Sequence, residues 1–406
     1  MTSRVRVGRI EVDRRSVLMK KIVLRKLSGQ LRYRLLPWLA AAFLVLAAGC
    51  QSGPEATSAA DATTASPVTT AATTAAATET TAATTETTAA TAAPTQTEAG
   101  LRVNLLTGEP LADPQAERQR PVAIMINNIK RATPQIGTGA ADLIYETLVE
   151  GGITRMMAVF ADIAAIPEIG SIRSARHDYI DLAGGLDAIL VHFGSSNLAG
   201  DQFVLQNTAH LDLGRDADSY WRDQGWWDNR GKEHSVKTTG ALLGEALNRA
   251  SFRKELREGM PTAFRFRSPD DFVPADGEPA SQATVPFSNY AKSTFTYDAA
   301  TKRYSKGQFG QPHLDLADGQ PLRFTNLFLL STGIAVCDEA GHMDVQLENG
   351  EGYYVSGGQC QAIVWEKGKT GDSFVFSDAS GQELTVNTGK SYIALVPDSN
   401  AITFSP

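Results

Sequence analysis

Arg173 and Arg176 stand three residues apart at the start of a predicted helix, residues 174–183. Two guanidinium groups beside the free backbone amides and the positive dipole end of a helix are suited to binding an anion. The same two side chains could instead form structural ion pairs with Asp178 and Asp181. The sequence leaves both interpretations open.

Further polar side chains follow two predicted buried strands, residues 121–127 and 187–193. In a parallel sheet, the C-termini of the strands and the N-termini of the following helices share one edge, where ligands usually bind. We therefore predict a ligand-binding edge there. Its residues are Asn127, Asn128, Arg173, Arg176, Ser195 and Asn197.

A second candidate cluster, residues 221–234, holds three of the four tryptophans that follow residue 50. Trp226 and Trp227 lie there among Arg, Asp and Asn side chains, and such a group can stack on a sugar ring. Tryptophan also fills protein cores, so a purely structural role for both residues stays open.

The sequence contains no complete catalytic or metal-binding motif. Gly194, Ser195 and Ser196 lack the pattern of a serine nucleophile elbow, and no zinc-protease motif, phosphate-binding loop or full dinucleotide fingerprint occurs. A nucleophile assembled from Ser195, His234 and an aspartate stays geometrically open. We expect no cofactor and no metal, because the six histidines lack the spacing of metal ligands. They are His177, His192, His210, His234, His313 and His342.

A sheet is needed to position these residues. The predicted elements alternate, with strands over residues 121–127, 153–160 and 187–193 and helices over residues 140–150 and 174–183. This order predicts an α/β domain with a mainly parallel sheet over residues 101–270. The same topology puts Glu150 and Arg155 at the opposite edge, where a local salt bridge is expected.

A Pro-rich, polar passage, residues 268–279, separates this domain from a second one over residues 283–406. The second part alternates short apolar runs with turn residues, which predicts a β-rich (α+β) domain. Cys337 and Cys360 lie in it and could form a disulfide outside the cytoplasm. Two free buried thiols are the alternative.

Cys50 is the expected first residue of the mature protein. It follows a basic segment and an apolar run, residues 35–49, that is short for a membrane span and ends in small residues. Residues 1–49 are therefore interpreted as a lipoprotein signal peptide. A lipid on Cys50 would hold the protein at the extracytoplasmic face of the membrane. An uncleaved membrane anchor is the alternative, and Met19 is a second candidate start.

Residues 51–100 contain seventeen Thr, seventeen Ala and no aromatic residue. Such a segment cannot bury enough apolar surface to offset its chain entropy, so residues 50–100 are predicted to be a lipidated, disordered tether. Without residues 1–49 the chain has 27 basic and 43 acidic residues, a net charge of −16. This charge argues against a nucleic-acid partner, and an anionic polymer could bind only through a local basic patch.

Several short motifs carry a resemblance to a known family. In the first half they are PVAIMINN (121–128), ADLIYE (141–146), EGGITR (150–155) and GSIRSAR (170–176), and in the second half WEK (365–367) and LTVNTGK (384–390). They are similar to motifs of the YerB-like lipoproteins of Gram-positive bacteria, whose N- and C-terminal domains are of unknown function. Glu233 and Ser235 depart from a Pro-His-Asn-like stretch of that family. The resemblance implies a two-domain surface lipoprotein and no established catalytic residue.

We therefore expect a membrane-anchored, non-catalytic binding or accessory protein of the cell envelope. Its expected partner is an anionic or glycan ligand derived from the wall, or a protein of wall synthesis. An envelope hydrolase or transferase that acts on a wall polymer at the same edge is the alternative. The sequence does not define the oligomeric state.

Overall fold

The computed structural model of the protein describes residues 103–111, 113–260, 262–368 and 370–406. They belong to one compact unit. The predictions for residues 1–100, which include the lipidated Cys50, the signal peptide and the tether, lie outside the described residues. None of the described helices is long and apolar enough to cross a membrane.

Strands dominate the described residues, and the helices are short. The α-helices are α1 His177–Gly184, α2 Asn197–Gln206, α3 Gln224–Arg230 and α4 Gly240–Arg249. Turns of 3₁₀ helix lie at Pro114–Arg118, Lys130–Ala132, Thr138–Ala140, Glu150–Gly152, Ile163–Ala165, Leu213–Arg215, Ala217–Ser219 and Lys232–His234. The strands are β1 Val122–Asn127, β2 Leu143–Leu148, β3 Thr154–Phe160, β4 Ile169–Gly170, β5 Ile189–His192, β6 His210–Asp212, β7 Trp221–Arg222, β8 Val236–Thr238, β9 Arg265–Phe266, β10 Glu278–Pro279, β11 Gln282–Pro286, β12 Lys292–Asp298, β13 Arg303–Gln308, β14 Gln311–Pro312, β15 Arg323–Phe324, β16 Asn326–Thr332, β17 Ile334–Val336, β18 Met343–Val345, β19 Asn349–Ser356, β20 Gln359–Glu366, β21 Val375–Ser377, β22 Thr385–Val386, β23 Ser391–Pro397 and β24 Thr403–Ser405.

The main sheet has eleven strands in the order β10-β20-β19-β16-β23-β2-β3-β1-β5-β6, with β21 paired to β20. β3 runs antiparallel to both of its neighbours, β1 and β2. The pairs β1 with β5, β5 with β6, β2 with β23 and β16 with β23 are parallel. The first part of the chain therefore contributes to a mixed sheet, and the predicted mainly parallel sheet is wrong.

The error begins at the predicted helix over residues 140–150, which is the strand β2. All six residues of β2 are buried, and alternate side chains enter two different cores. Leu143 and Tyr145 pack on one face of the sheet, whereas Ile144 and Leu148 pack on the other. A strand buried on both faces is apolar at nearly every position, so spacing alone does not distinguish it from a buried helix.

The two faces of the main sheet are covered by different elements. One face packs against α1, which buries Tyr179 and Ile180 in the first core. The other face packs against α4 and against a second, antiparallel sheet of six strands in the order β14-β13-β12-β11-β24, with β15 paired to β13. Phe295 and Tyr304 of the second sheet lie in that core.

Both predicted domains contribute strands to the main sheet. β23, from the second part of the chain, pairs in parallel with β2 of the first part over Leu143–Thr147 and with β16 on its other side.

Two predicted elements are confirmed. The helix predicted over residues 174–183 is α1, and the hairpin predicted from residue 290 is formed by β12 and β13.

The two cysteines of the described residues are free. Cys337 is exposed in the turn between β17 and β18, and Cys360 is buried in β20, where it pairs with Glu278 of β10. The possible disulfide between them is therefore not formed.

Candidate functional site

One edge of the main sheet collects polar residues from several strands. β1 ends there at Asn127, which is directly opposite Arg155 of β3. β2 ends beside them, and a tight turn carries Glu150 between β2 and β3. Glu150 and Arg155 therefore lie at the same edge as Asn127. Their predicted position at the opposite edge is wrong because residues 143–148 form a strand.

Gly151 and Gly152 make this turn possible. Their φ angles are 69° and 72°, in the left-handed region where residues with a Cβ are disfavoured. The turn reverses the chain within a few residues. It thereby brings the Glu150 carboxylate to the Arg155 guanidinium, where Oε1 and Nη2 are 3.3 Å apart.

Glu150 has a second and closer arginine partner, Arg176. Arg176 is the residue that precedes α1, and its Nε donates to Oε2 of Glu150 at 2.8 Å while Nη2 donates to Oε1. Such a two-point contact between guanidinium and carboxylate is a strong, geometrically specific ion pair. Of the two interpretations, the structural ion pair is therefore confirmed for Arg176. Its partner is Glu150 and not Asp178 or Asp181.

The charges at this edge shift the pKa values of both kinds of group. Burial alone would raise the pKa of Glu150, but the hydrogen bond from Arg176 and the charge of Arg155 lower it to about 2. Arg155 is almost fully buried, and burial together with the charge of Arg176 lowers its pKa to about 9. Arg155 and Arg176 thus place two guanidinium groups side by side where they are largely removed from water.

Arg173 is the unpaired member of the cluster. Its Nη1 donates to the backbone oxygen of Glu233 at 3.2 Å, and no carboxylate of the described residues lies within ion-pair distance of it. Arg173 is half-buried, and burial lowers its pKa while the charge of Glu233 opposes this shift. We call Glu150, Arg155, Arg173 and Arg176 the arginine site.

A small antiparallel sheet of β4, β8 and β7 attaches the tryptophan-rich segment to this edge. It places His234 against Asn127, whose side-chain nitrogen donates to Nδ1 of His234 at 2.7 Å. On the other side of the ring, Nε2 lies 3.2 Å from Oε1 of Glu233. Burial lowers the pKa of His234, and Glu233 opposes this shift. Asn127 therefore fixes the orientation of a buried histidine beside the arginine site.

Asn128 faces away from the arginine site into a buried polar network. Its Nδ2 donates to Oε1 of Glu146 at 2.9 Å and to the hydroxyl of Thr154 at 2.8 Å. Glu146 is fully buried, and its Oε2 lies 3.3 Å from Nζ of Lys306, which is also fully buried. Tyr392 donates its hydroxyl to the same carboxylate at 2.6 Å. Asn128 therefore belongs to a contact between the two sheets.

Ser195 and Asn197 are exposed where β5 leads into α2. The buried neighbour Ser196 caps α2 through its hydroxyl, which accepts from the backbone N–H of Ala199 at 3.2 Å. The side-chain partners of His234 among the described residues are Asn127 and Glu233, and Ser195 is not one of them. Ser195 and His234 therefore do not form the catalytic group that the sequence left open.

Trp226 and Trp227 lie on α3 and differ in exposure. Trp226 is flanked by two cations, with the Arg230 guanidinium 4.1 Å and Nζ of Lys237 4.2 Å from the centre of its ring. Trp227 is 37% exposed, with Nζ of Lys232 4.9 Å from its ring. Trp227 is thus the more exposed of the two rings and the better candidate to contact a sugar.

Sequence reasoning missed Glu150 and Arg155 as members of the site and His234 as its neighbour. The sequence did contain a signal for the first two, because both were expected to pair with each other. The sequence did not show at which edge of the sheet Glu150 and Arg155 lie. No pattern in the sequence indicated that Lys306 and Glu146, which are 160 positions apart, would meet.

Comparison with known proteins identifies relatives over most of the chain. Residues 106–253 match the family described as "Protein of unknown function (DUF3048) N-terminal domain", and residues 283–393 match the C-terminal domain of the same name. The "Putative lipoprotein YerB" of Bacillus subtilis (strain 168) is 28% identical over 309 residues, which cover 74% of this chain and 88% of the relative. The crystal structure of the YerB protein from Bacillus subtilis is similar with a TM-score of 0.65 at 25% identity, over 75% of this chain and 99% of that one.

Proposed function

We propose, because this chain belongs to the YerB-like lipoprotein family, that it is an extracytoplasmic, membrane-anchored protein that binds an anionic ligand at the arginine site. The ligand is a phosphate-bearing or carboxylate-bearing fragment of the cell wall. Binding, without a reaction, is the proposed activity.

The observation that carries this proposal is a charge imbalance. Three guanidinium groups, from Arg155, Arg173 and Arg176, lie near the carboxylate of Glu150, and only Arg155 and Arg176 are within ion-pair distance of it. Glu150 is shared by Arg155 and Arg176, and among the described residues no carboxylate lies within ion-pair distance of Arg173, although the charge of Glu233 acts on it. A cation that is removed from water without a partner is costly, and an anion that docks on Arg173 removes this cost.

The neighbourhood of Arg173 adds to the local positive charge. Arg222 carries its guanidinium 4.8 Å from the ring of Phe193 and 5.8 Å from that of Trp227. Arg173 and Arg222 are close enough for the charge of each to be felt by the other. A ligand that combines an anionic group with a sugar ring could therefore contact Arg173 with its charge and Trp227 with its ring.

The test is the substitution Arg173→Gln. We expect it to weaken binding of phosphate-bearing and carboxylate-bearing wall fragments by at least tenfold, because charge-assisted hydrogen bonds contribute about 1.5–3 kcal/mol each. The melting temperature should change little. Arg303→Gln, an exposed arginine of the second sheet, removes the same charge elsewhere and should leave affinity unchanged. Equal affinity of the Arg173→Gln variant and the wild type would contradict the proposal.

The anchoring part of the proposal is tested separately at Cys50. Cys50→Ala should release the protein from the membrane fraction, and labelled palmitate should be incorporated by the wild type only. A variant that remains as membrane-bound as the wild type would contradict lipid anchoring, and it would leave the binding proposal untouched.

Catalysis at the same edge is a second candidate, and His234 is the residue that favours it. Its ring is oriented by Asn127 and lies beside the arginine site, as a residue that transfers protons would require. If the purified protein releases product from labelled wall fragments, and His234→Gln abolishes the release without weakening binding, an enzyme is favoured over a binding protein.

A further inference from the structure

A second group of chemically capable side chains lies between α1 and the hairpin of β17 and β18. His177 and Asp178 begin α1, and Asp344 is the middle residue of β18. One nitrogen or oxygen atom from each of the three side chains lies within 4.8 Å of the others. From this arrangement we propose a binding site for one divalent transition-metal ion, with Zn²⁺ as the matching ion. The site is independent of the proposed anion binding.

The two distances from the His177 nitrogen to the carboxylate oxygens fit the coordination of zinc. Nε2 of His177 lies 3.5 Å from Oδ1 of Asp178 and 3.5 Å from Oδ1 of Asp344. Zinc binds imidazole nitrogen and carboxylate oxygen at about 2.0–2.2 Å, so neighbouring ligands in a tetrahedral site are about 3.3–3.6 Å apart. The two carboxylate oxygens lie within 4.8 Å of each other, so an ion bound to all three atoms would draw these oxygens together if they are farther apart than the tetrahedral spacing.

The charges of this group also call for a cation. Two carboxylates converge on one imidazole, and the charged side chains that act on Asp178 are His177 and Asp344. No Lys or Arg of the described residues lies within ion-pair distance of Asp178 or Asp344. The charge around this group is negative, whereas the charge at the arginine site is positive. A divalent cation would neutralise both carboxylates, and an imidazole ligand favours a transition metal over Ca²⁺, which prefers oxygen ligands.

The hydrogen bonding of the His177 ring is incomplete. Its side chain is only 13% exposed, and its Nδ1 is buried with no hydrogen-bond partner. Its Nε2 has no contact with either carboxylate shorter than 3.5 Å. A largely buried polar ring without a good hydrogen bond is unusual and needs a partner. A metal ion on Nε2 would give that atom a partner, and Nδ1 would stay without one.

The elements that hold the three ligands are suited to a metal site. The backbone N–H of Val345 donates to Oδ1 of Asp178 at 2.9 Å and thereby fixes this carboxylate. A hydrogen bond to a ligating oxygen orients the ligand without blocking it. The side chain of Asp344 is 58% exposed, which leaves a route from solvent and room for a water molecule as the fourth ligand.

Zinc binding to the full chain, purified in detergent, tests the proposal. We expect one Zn²⁺ per chain in a competition titration against a chromophoric chelator, and a melting temperature that rises with Zn²⁺ but not with Ca²⁺. Asp344→Asn and His177→Gln should each weaken zinc binding by at least tenfold and abolish the rise in melting temperature. Glu339→Gln removes an exposed charge from the same hairpin and should bind zinc as the wild type does.

A further variant distinguishes this site from the tip of the hairpin, where Cys337 and His342 could also bind zinc. If Cys337→Ser abolishes binding while Asp344→Asn retains it, the ion binds at the tip and the proposal is wrong. The proposal is also wrong if the wild type binds no zinc at micromolar concentrations. In that case the three side chains form only an ion pair.

Discussion

Arg173 and Arg176 should respond differently to substitution, because only Arg176 is paired with a carboxylate. Arg176→Gln removes the two-point contact to Glu150 and leaves this half-buried carboxylate with Arg155 alone. We expect a loss of about 3 kcal/mol in the free energy of unfolding, measured by urea denaturation. Arg173→Gln should lose less than about 1 kcal/mol. Equal losses in the two variants would show that Arg173 also has a structural partner.

The ion pairs of Glu150 predict a dependence of stability on acid. The pKa of Glu150 is lowered from 4.5 to about 2 by folding, so the folded state holds this carboxylate charged more strongly than the unfolded chain does. The resulting stabilisation is fully present above pH 4.5 and is lost as the pH falls towards 2. Glu150→Gln should therefore be less stable than the wild type at pH 7 by about 3 kcal/mol. The difference should shrink between pH 4.5 and 2, and a constant difference would contradict the assignment.

The buried pair of Glu146 and Lys306 predicts a different pattern. Both side chains are fully buried, and burial lowers the pKa of Lys306 while Glu146 opposes this shift. Glu146→Gln would leave the ammonium group without a carboxylate, at a cost of about 3–5 kcal/mol. The double variant Glu146→Gln with Lys306→Met should recover much of this loss, because no uncompensated charge stays buried. A double variant as unstable as the single one would mean that the amide and hydroxyl groups around Glu146 carry the stability.

The residues of the arginine site could be predicted only in part. The spacing of Arg173 and Arg176 before a helix indicated positive charge at a sheet edge, and the structure places both residues there. The sequence could not assign Glu150 to this edge, because that depended on whether residues 143–148 were helix or strand. An apolar run of this length fits both, and only the packing of Leu143 and Ile144 into separate cores decides between them.

Two glycines in different elements should have opposite effects when replaced by alanine. Gly151 lies in the turn between β2 and β3 with a φ of 69°, which alanine adopts only with strain. Gly244 lies inside α4, and a Cβ atom there would meet nothing within 4 Å. We expect Gly151→Ala to lower the free energy of unfolding by about 1 kcal/mol, and Gly244→Ala to raise it by about 0.5–1 kcal/mol. Thermal melts of the two variants beside the wild type check both signs.

Strands with one exposed face were easier to predict than strands that are buried on both faces. β12 and β13 alternate exposed and buried residues, so the pattern of the sequence and that of the structure agree. β1, β2 and β3 are buried throughout and show no alternation. Strand direction and order are decided by pairing with distant segments, and no local pattern contains this information.

The whole molecule should not divide at the Pro-rich passage. β2 needs β23 as a neighbour, and the core that contains Ile124 is closed by Phe295 of the second sheet. We expect residues 101–270 alone to unfold without a cooperative transition, and to regain one when mixed with residues 283–406 expressed separately. A sharp thermal transition of the isolated first part would contradict this prediction.

The central position of β23 also has a consequence for the order in which the protein is made. β23 spans Ser391–Pro397, so the ribosome adds this strand after the other ten strands of the main sheet. Until then β2 has an open edge, and the sheet is divided in two. If the chain is exported as proposed, its sheet cannot close before β23 has been translated. Because its central strand is made late, the chain would stay incompletely folded and could pass through a translocation channel.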